Sequence, residues 1–557
     1  MLLNNHSYYS FLNSTISPND LVEYAVQSSL NSIALTDQNG MHGLIPFAKA
    51  AHEKRIKPIL GAQITENESI DDYLLLLAKN NQGYSELCKI ITNQKLDEKF
   101  VFEDIFKIGC SNLFILTSSE NLVRRFHQKE LINSDFFVEL YSTKRSKKKI
   151  RSLYNFSKEL NLKIVATNPA YFKTIDEHLL HRAITAVRKN KVIINLNDDE
   201  IIDQEFHLPD YNNFLSKWKS LPESLENAEF ISQNCNVDLR LGEYKYPKYD
   251  LPKEETSTSM LWNICHEGLK QKYNPVSEKA RARLESELLV IDQLGFSDYF
   301  LIVWDIVKTA HQKRMMTIGR GSAANSIVSY CLNLTQVDPI EHNLYFERFL
   351  NKGRSNPPDV DLDFSWKERD EIIRYVFEKY GYERVAMIST TVTFKARSAF
   401  REIAKAFGIS DNEISTYSKF IPWTSAKNLI KLAEKYPESK DLDFSIEPWK
   451  SIIELASQIA DFPRHLSIHP GGIVITEKPI TNYTALEYAK NKGIGLIVTQ
   501  PDMYSIEELG LVKIDLLSQR SLGVLRDTMD SIEKNFHLKV KTLIFNIEEN
   551  EGRNDDN

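Results

Sequence analysis

The chain has 557 residues with a net charge of −7, and 42% of its residues are hydrophobic and 26% charged. This composition is typical of a soluble protein of several domains, and it excludes a global electrostatic attraction to nucleic acid. There is no apolar run of membrane-spanning length and no signal-peptide pattern at the N-terminus, and the five cysteines are scattered without a CxxC pair. We therefore expect a cytoplasmic protein, with any nucleic-acid contact confined to local basic patches.

Residues 1–230 alternate short apolar segments with helical patterns. This alternation is typical of a β/α barrel or a parallel sheet. A basic run at residues 144–151 is interpreted as a solvated helix face or loop, with a nucleic-acid contact as the less favoured alternative. Helices are predicted at 19–29 and 44–54, and strands at 32–36, 57–64, 73–78, 112–117, 136–141 and 163–168.

The pattern changes after residue 237, where prolines and mixed charges predict a connection between domains. Helical periodicity begins near residue 280 and stops at two glycines, Gly319 and Gly321. The polar tail after residue 547 is predicted to be disordered. Further strands are predicted at 359–364, 471–476, 495–500 and 511–517, and helices at 367–380 and after Ser410, within a mostly helical segment 410–460.

A glycine-rich turn, GRGS at residues 319–322, follows a short apolar segment and precedes an apolar helix pattern at 327–332. Glycines let the backbone approach a ligand closely, and free N–H groups at a helix start suit a phosphate. A tight turn with a serine helix cap remains an alternative. A dinucleotide-binding fingerprint is disfavoured, because Asp338 precedes a proline and ends no second strand.

Three acids alternate with apolar residues at 358–364. Alternate side chains of a strand share a face, so Asp359, Asp361 and Asp363 are predicted to lie together and to repel one another unless a divalent cation lies between them. A half-exposed edge strand is the alternative.

Another acid, Asp515, lies beside Lys513 in the apolar strand pattern at 511–517. By itself it is better explained as a satisfied core carboxylate than as a metal ligand. A phosphate-binding turn, an Asp-x-Asp strand and a distant Asp strand, in this order, together predict a nucleotidyltransferase with two metal ions.

Together these motifs resemble the palm of bacterial C-family DNA polymerases, the DNA polymerase III alpha subunits. The resemblance implies a polymerase-beta-like nucleotidyltransferase palm and DNA-directed DNA polymerase activity. The matching segments, in the family's order, are DYFLIVWD (298–305), GRGSAA (319–324), FERFLN (346–351), PDVDLDF (358–364) and GLVKIDLL (510–517).

The resemblance also implies the roles of individual residues. Asp359, Asp361 and Asp515 are expected to be the catalytic acids and to hold two Mg²⁺ ions, with Asp363 ranked below them. The nucleotide- and phosphate-binding residues are expected to be Gly319, Arg320, Gly321 and Ser322, with Arg348 and Lys513 as cationic partners.

The N-terminal region resembles the PHP (polymerase and histidinol phosphatase) domain of the same family, through HSYYS (6–10), ALTDQNGMHG (34–43), KPILGAQI (57–64) and LLAKNNQGY (76–84). Active versions hold metals at positions that carry poor ligands here. We therefore expect no metal, no proofreading and no phosphatase activity in this domain. The altered positions are Asn4, Gln38, Gln63, Tyr73, Pro169 and Tyr171.

The segment between the palm motifs would form a thumb. It contains a helical stripe of cations that we expect to contact DNA backbone phosphates, with a solvated helix face as the alternative. Its residues are Lys395, Arg397, Arg401 and Lys405. RHLSIHPGG (464–472) resembles the family segment that re-enters the palm.

The predicted fold is α/β and multidomain: a PHP-type β/α barrel-like domain (1–230), a palm in two parts (231–394 and 471–525), an inserted helical thumb (395–470), and the start of fingers or a truncated tail (526–557). Family members continue beyond the resemblance with fingers, a helix-hairpin-helix element, a clamp-binding segment and an oligonucleotide-binding fold. We therefore expect a fragment, a split-gene product or a truncated remnant that extends primers poorly by itself.

The expected partners are primer–template DNA and deoxynucleoside triphosphates, with the sliding clamp and other replisome subunits contacted through other parts, and no membrane. The alternative to a polymerase is a truncated, non-catalytic remnant that binds DNA or a replisome partner. A PHP-type phosphoesterase is opposed by the altered ligand positions.

Overall fold

A computed structural model of the chain describes residues 1–66, 72–351, 353, 357–440, 442–489 and 496–536. The predicted disordered tail and residue 495 of a predicted strand lie outside these residues. The strands are β1 (Ser32–Gln38), β2 (Lys57–Thr65), β3 (Tyr73–Ala78), β4 (Leu113–Thr117), β5 (Phe136–Leu140), β6 (Lys163–Ala166), β7 (Thr317–Arg320), β8 (Asp361–Ser365), β9 (Val385–Thr393), β10 (Pro463–Ile475), β11 (Leu486–Tyr488), β12 (Ile497–Asp502) and β13 (Lys513–Gln519).

None of the described helices is long and apolar enough to cross a membrane. The helices are α1 (Pro18–Gln27), α2 (Leu44–Glu53), α3 (Asn81–Leu96), α4 (Asp104–Ile108), α5 (Glu120–Gln128), α6 (Lys147–Glu159), α7 (His178–Lys189), α8 (Tyr211–Lys217), α9 (Pro222–Asn234), α10 (Ser257–Lys272), α11 (Glu278–Gln293), α12 (Ser297–Gln312), α13 (Ile327–Cys331), α14 (Arg369–Tyr380), α15 (Ala396–Ala406), α16 (Asp411–Ser418), α17 (Leu432–Lys435), α18 (Trp449–Gln458), α19 (Met503–Glu508) and α20 (Arg520–Phe536).

The chain forms two compact units. The first comprises Met1–Glu243, Met387–His469 and Lys478–Gly510, and the second comprises Tyr244–Ala386, Pro470–Glu477 and the chain from Leu511 onwards. The segment predicted as a thumb therefore lies in the first unit, apart from its last residue. The names palm and thumb remain predictions.

The first unit contains a six-stranded sheet in the order β1 to β6. Strand β3 runs antiparallel to both β2 and β4, whereas the other neighbours are parallel. The connection from β2 to β3 is too short for a crossover helix, so these two strands pair antiparallel. The N-terminal segment links the two edges, because Leu2 and Asn5 accept hydrogen bonds from β1 while His6 donates to Ala170, just after β6. This is the barrel-like arrangement that the alternation predicts.

The helical segment of the first unit shares a core with α7. Phe400 and Ile403 of α15 and Ile452 of α18 are fully buried in one cluster with Ala183 and Ile184 of α7. Helix α16 begins after Ser410, whose side chain accepts a hydrogen bond from the Glu413 N–H, so the predicted helix start is confirmed. Helices α15 and α18 therefore both pack on α7.

The second unit contains strands in the order β10, β13, β8 and β7. The central pair, β8 and β13, is parallel, and β7 and the end of β10 flank it antiparallel. Helix α12 has buried residues on all sides, including Tyr299, Phe300 and Ile306, as expected of a helix that is apolar all round. This core supports the strands that carry the acids.

Candidate metal and nucleotide site

Three carboxylates meet where β8 and β13 run side by side. The parallel register places Asp515 opposite Asp361, and Asp359 lies two residues before Asp361, on the approach to β8. One carboxylate oxygen of each acid lies within 4.8 Å of the others. The intervening Val360 and the following Leu362 are fully buried, because their side chains point to the opposite face. The structure therefore brings together the three acids singled out in the sequence.

Electrostatics at this cluster follow from burial and mutual repulsion. Burial, and then the negative charges of Asp359 and Asp515, raise the pKa of Asp361 above its usual value. The ammonium of Lys513 lies 2.7 Å from Asp515 and 3.2 Å from Asp359. Burial alone would lower the pKa of Lys513, but the hydrogen bond to Asp515 and the charges of both acids raise it to about 12. Lys513 thus stays cationic and offsets part of the repulsion.

The fourth acid, Asp363, stands apart from this trio. Its carboxylate lies 3.6 Å from the Arg320 guanidinium and accepts a hydrogen bond from Gln519 at 3.3 Å. Burial raises its pKa, and the positive charge of Arg320 opposes that shift. Among the described residues, Asp359, Asp361 and Asp515 form the group that could hold a metal ion, and Asp363 does not belong to this group.

The glycine-rich turn lies directly beside the acids. Strand β7 pairs antiparallel with β8 so that Arg320 faces Asp361, and the Arg320 Nε lies 3.6 Å from Asp361 Oδ2. Gly321 has φ +75°, and a Cβ atom there would lie 3.9 Å from the same oxygen. A Cβ atom at Gly319 would lie 1.8 Å from the Leu334 carbonyl oxygen, so only glycine fits.

After the turn, the chain does not enter the apolar helix directly. Residues Gly321–Asn325 form a 3₁₀ helix, and Ser326 caps the short helix α13. The serine that caps the helix after the turn is therefore Ser326. Ser322 lies half-buried within the 3₁₀ helix. Arg348 ends a second 3₁₀ turn, Phe346–Arg348, which packs beside the first one, and its side chain is exposed.

Comparisons with known proteins relate the chain to one group of enzymes. Residues 259–518 match the family described as the bacterial DNA polymerase III alpha NTPase domain, and residues 3–139 match the PHP domain. The chain is 33% identical over 97% of its length to the DNA polymerase III subunit alpha of Halalkalibacterium halodurans, and 33% identical over 96% to that of Bacillus subtilis. It is also 31% identical over 95% to the error-prone DNA polymerase of Symbiobacterium thermophilum.

Over nearly its whole length the chain is similar to bacterial DNA polymerase III alpha subunits. The resemblance seen in the motifs is thereby confirmed. The chain covers 50% of the two alpha subunits and 52% of the error-prone polymerase, so it spans about half the length of these relatives.

Two supports of the site were not anticipated from the sequence. Arg369 donates to the carbonyl of Leu516 at 2.7 Å and to that of Pro470 at 2.6 Å, which ties β13 to the middle of β10. Glu287, only 1% exposed, accepts hydrogen bonds from Arg283 at 2.6 Å and from Ser326 at 2.7 Å. For Glu287, the sequence offers one indication, which is the spacing of four residues between Arg283 and Glu287 on one helix.

The predicted DNA-contact stripe is engaged in contacts within the first unit. Arg397 donates to the Ile421 carbonyl at 2.6 Å. Arg401 and Lys405 lie 3.7 and 3.4 Å from Asp411, and Lys395 lies 2.7 Å from Asp461. Exposed pairs of this kind contribute little stability, so phosphate oxygens could replace these carboxylates. Arg397 differs, because its partner is a backbone carbonyl in a partly buried position.

In the PHP domain, two of the altered positions belong to a buried hydrogen-bond network around Glu139. Asn4 donates to Glu139 at 2.8 Å, and Tyr73 and Thr167 each donate to it at 2.6 Å. Burial raises the pKa of Glu139, and these three donors oppose the shift. Tyr171 stacks on His6 with ring centroids 4.2 Å apart. Hydrogen bonding and aromatic packing thus hold these side chains.

A second buried acid of the first unit gives a pH-dependent prediction. Asp37 accepts hydrogen bonds from the Ser7 N–H and from the Ser7 and Ser10 hydroxyls, yet burial raises its pKa to about 7. An acid whose pKa is raised by folding stabilises the protein below its unfolded pKa, and this contribution is lost as the pH rises towards 7.

We expect Asp37→Asn to become more stable relative to wild type, by more than about 1 kcal/mol, between pH 4 and pH 7. Urea unfolding at a series of pH values measures this difference. The exposed Asp198→Asn is the control. Parallel pH profiles for all three proteins would show that the interpretation is wrong.

Proposed function

We propose that this chain carries the nucleotidyl-transfer centre of a DNA-directed DNA polymerase and adds deoxynucleotides to a primer 3′ end by two-metal phosphoryl transfer. The observation that carries the proposal is the convergence of Asp359, Asp361 and Asp515 within 4.8 Å, beside a glycine turn. Similarity to bacterial DNA polymerase III alpha subunits supports it.

The donor set fits magnesium. Three carboxylates offer hard oxygen ligands of the kind that Mg²⁺ prefers. Lys513 lies among them and forms ion pairs with Asp359 and Asp515. Bound Mg²⁺ ions would activate the primer hydroxyl and neutralise the developing charge on the triphosphate. In this proposal Asp359, Asp361 and Asp515 are the ligands and Asp363 stays outside, held by Arg320 and Gln519.

The remaining residues would bind and orient the nucleotide. The backbone of Gly319, Arg320, Gly321 and Ser322 would approach the triphosphate, because Gly321 places no Cβ atom on the side that faces Asp361. Arg320 and Lys513 already contact the acids, and the exposed Arg348 lies on the neighbouring turn. These cations would pair with phosphate oxygens and oppose the negative charge of the cluster.

The stripe Lys395, Arg401 and Lys405 would contact backbone phosphates of primer–template DNA by exchanging Asp411 and Asp461 for phosphates, and Arg397 would support it from within. Contacts with the sliding clamp and other replisome subunits are proposed for other parts of the whole protein.

Metal binding tests the centre directly. We expect the chain to bind Mn²⁺, used as a spectroscopic substitute for Mg²⁺, and we expect Asp359→Ala/Asp361→Ala to lose that binding because two of its three ligands are gone. Electron paramagnetic resonance of free Mn²⁺ during titration measures it. Asp363→Asn should bind nearly as wild type, and the exposed Glu371→Gln is the control.

The same titration tests the PHP domain. Because Asn4 and Tyr73 hydrogen-bond Glu139 where active domains hold metal, the double variant should retain no tight Mn²⁺ site. Stoichiometric binding that survives in the double variant would place a metal in the PHP domain and contradict the expectation.

A further inference from the structure

A loop of the helical segment in the first unit exposes large apolar side chains. We name residues 419–431 the aromatic loop. Trp423 is 90% exposed, the highest value among the large hydrophobic side chains of the described residues, and Ile430 and Phe420 are 62% and 42% exposed. Single exposed apolar residues are common at protein surfaces, but three within eleven positions need a physical explanation.

The backbone of the aromatic loop is firmly anchored. Ile421 is fully buried, and its carbonyl accepts two hydrogen bonds from Arg397, at 2.6 and 3.2 Å. The Phe420 carbonyl accepts from the Ser439 hydroxyl at 2.8 Å, and the Thr424 carbonyl accepts from the Ala396 N–H at 2.9 Å. The exposed rings therefore project from a fixed support, so little conformational entropy is lost when a ligand binds them.

The charge of the aromatic loop is opposite to that of the whole chain. It contains Lys419, Lys427 and Lys431 and no acid, whereas the chain carries −7. The three lysines are exposed, and the structure records no ion pair for them within its described ranges. The Lys419 ammonium lies 4.9 Å from the centroid of the Phe420 ring. Surfaces that bind single-stranded nucleic acid combine exposed aromatic rings with cations in the same way.

We propose that the aromatic loop binds single-stranded nucleic acid, with Trp423 stacked on an unpaired base and the three lysines on flanking phosphates. A duplex offers no free base face to the Trp423 ring, so the ring favours a single strand. Arg397 is then a positioning residue that holds the loop. The proposal goes beyond nucleotidyl transfer and does not depend on the metal centre.

Binding of fluorescently labelled oligo(dT), followed by anisotropy with EDTA present, tests the proposal. Trp423→Ala should weaken binding about five-fold to a hundred-fold, the usual range for loss of one base stack, and Trp423→Phe should retain most of the affinity. Lys419→Ala/Lys427→Ala/Lys431→Ala should lower the slope of log affinity against log salt by about 2, from three lost phosphate contacts.

The controls separate this surface from other exposed rings and from the metal centre. Tyr504 is 67% exposed in the same unit but lies among acids, and Tyr504→Ala should bind oligo(dT) as wild type does. Asp359→Ala/Asp361→Ala should also bind oligo(dT) with unchanged affinity. The binding experiment can therefore be interpreted even if the proposed catalytic function is wrong.

Three outcomes would overturn the proposal. The first is a wild-type chain that does not bind oligo(dT), or a Trp423→Ala variant that binds it equally well. The second is an equal loss of affinity for a duplex of the same length, which would mean charge recognition alone. The third is self-association that depends on Trp423 in analytical ultracentrifugation while oligo(dT) binding is unaffected, which would make the loop a protein interface.

Discussion

Asp359→Ala/Asp361→Ala is expected to slow the incorporation of a single nucleotide at a primer end by at least about a thousand-fold, because metal ions supply several kcal/mol of charge stabilisation in the transition state. Removing two of three converging carboxylates leaves Asp515 with Lys513, a pair that is close to neutral. Single-turnover incorporation with protein in excess over primer–template measures the rate, even where wild-type turnover is slow.

The control for this experiment is Glu371→Gln, an exposed acid on α14 of the same unit. A double variant that incorporates at the wild-type rate would contradict the assignment of the acids. A wild-type chain that binds Mn²⁺ and DNA but incorporates nothing would favour the alternative of a non-catalytic remnant.

Glu287→Ala is expected to destabilise the second unit by about 3 kcal/mol, because it breaks a buried ion pair and leaves the Ser326 hydroxyl without its acceptor. Glu287 also accepts from the Val328 N–H at 3.3 Å, and Arg283 donates to the carbonyls of Leu344 and Asn325. The pair therefore holds the chain that follows the glycine turn, and nucleotide affinity should fall together with stability.

Urea unfolding and amide hydrogen exchange in α13 measure this effect. Glu285→Ala is the matched control on the same helix, since the described residues show no hydrogen bond or ion pair for Glu285. Glu287→Gln should lose less than Glu287→Ala, because its amide oxygen still accepts one hydrogen bond. Equal stability of Glu287→Ala and Glu285→Ala would show that the pair does not support the turn.

Local composition predicted many secondary-structure elements closely. Strand β3 coincides with its predicted range, and α14 begins two residues after the predicted start. Strand β10 begins at Pro463, eight residues before its predicted start, because its polar first half has no apolar run to indicate a strand. Apolar periodicity reports burial on one face, and a strand with polar residues on both faces escapes it.

The cationic stripe of α15 shows the limit of charge patterns. A helical spacing of Arg397, Arg401 and Lys405 predicts a shared face, and the face exists, but the sequence does not say what the face meets. Asp411 and the carbonyl of Ile421 come from later segments that only packing brings near. A cation on a helix surface has the same local pattern whether it contacts phosphate, carboxylate or water.

By itself the sequence indicated the three acids Asp359, Asp361 and Asp515 through its resemblance to the polymerase family, whereas strand alternation grouped Asp359 and Asp361 with Asp363. The need for glycine at position 319 is tertiary, because a Cβ atom there would meet the carbonyl oxygen of Leu334. Only the tertiary structure decided that Asp515 lies opposite Asp361, that Asp363 turns to Arg320, and that Glu287 supports the turn. The physical reason is that these contacts join residues far apart in the sequence. Asp515 and Asp361 are more than a hundred positions apart, and Glu287 and Ser326 are about forty apart. The packing of the whole unit therefore decides both the strand register and the burial of the Glu287 charge.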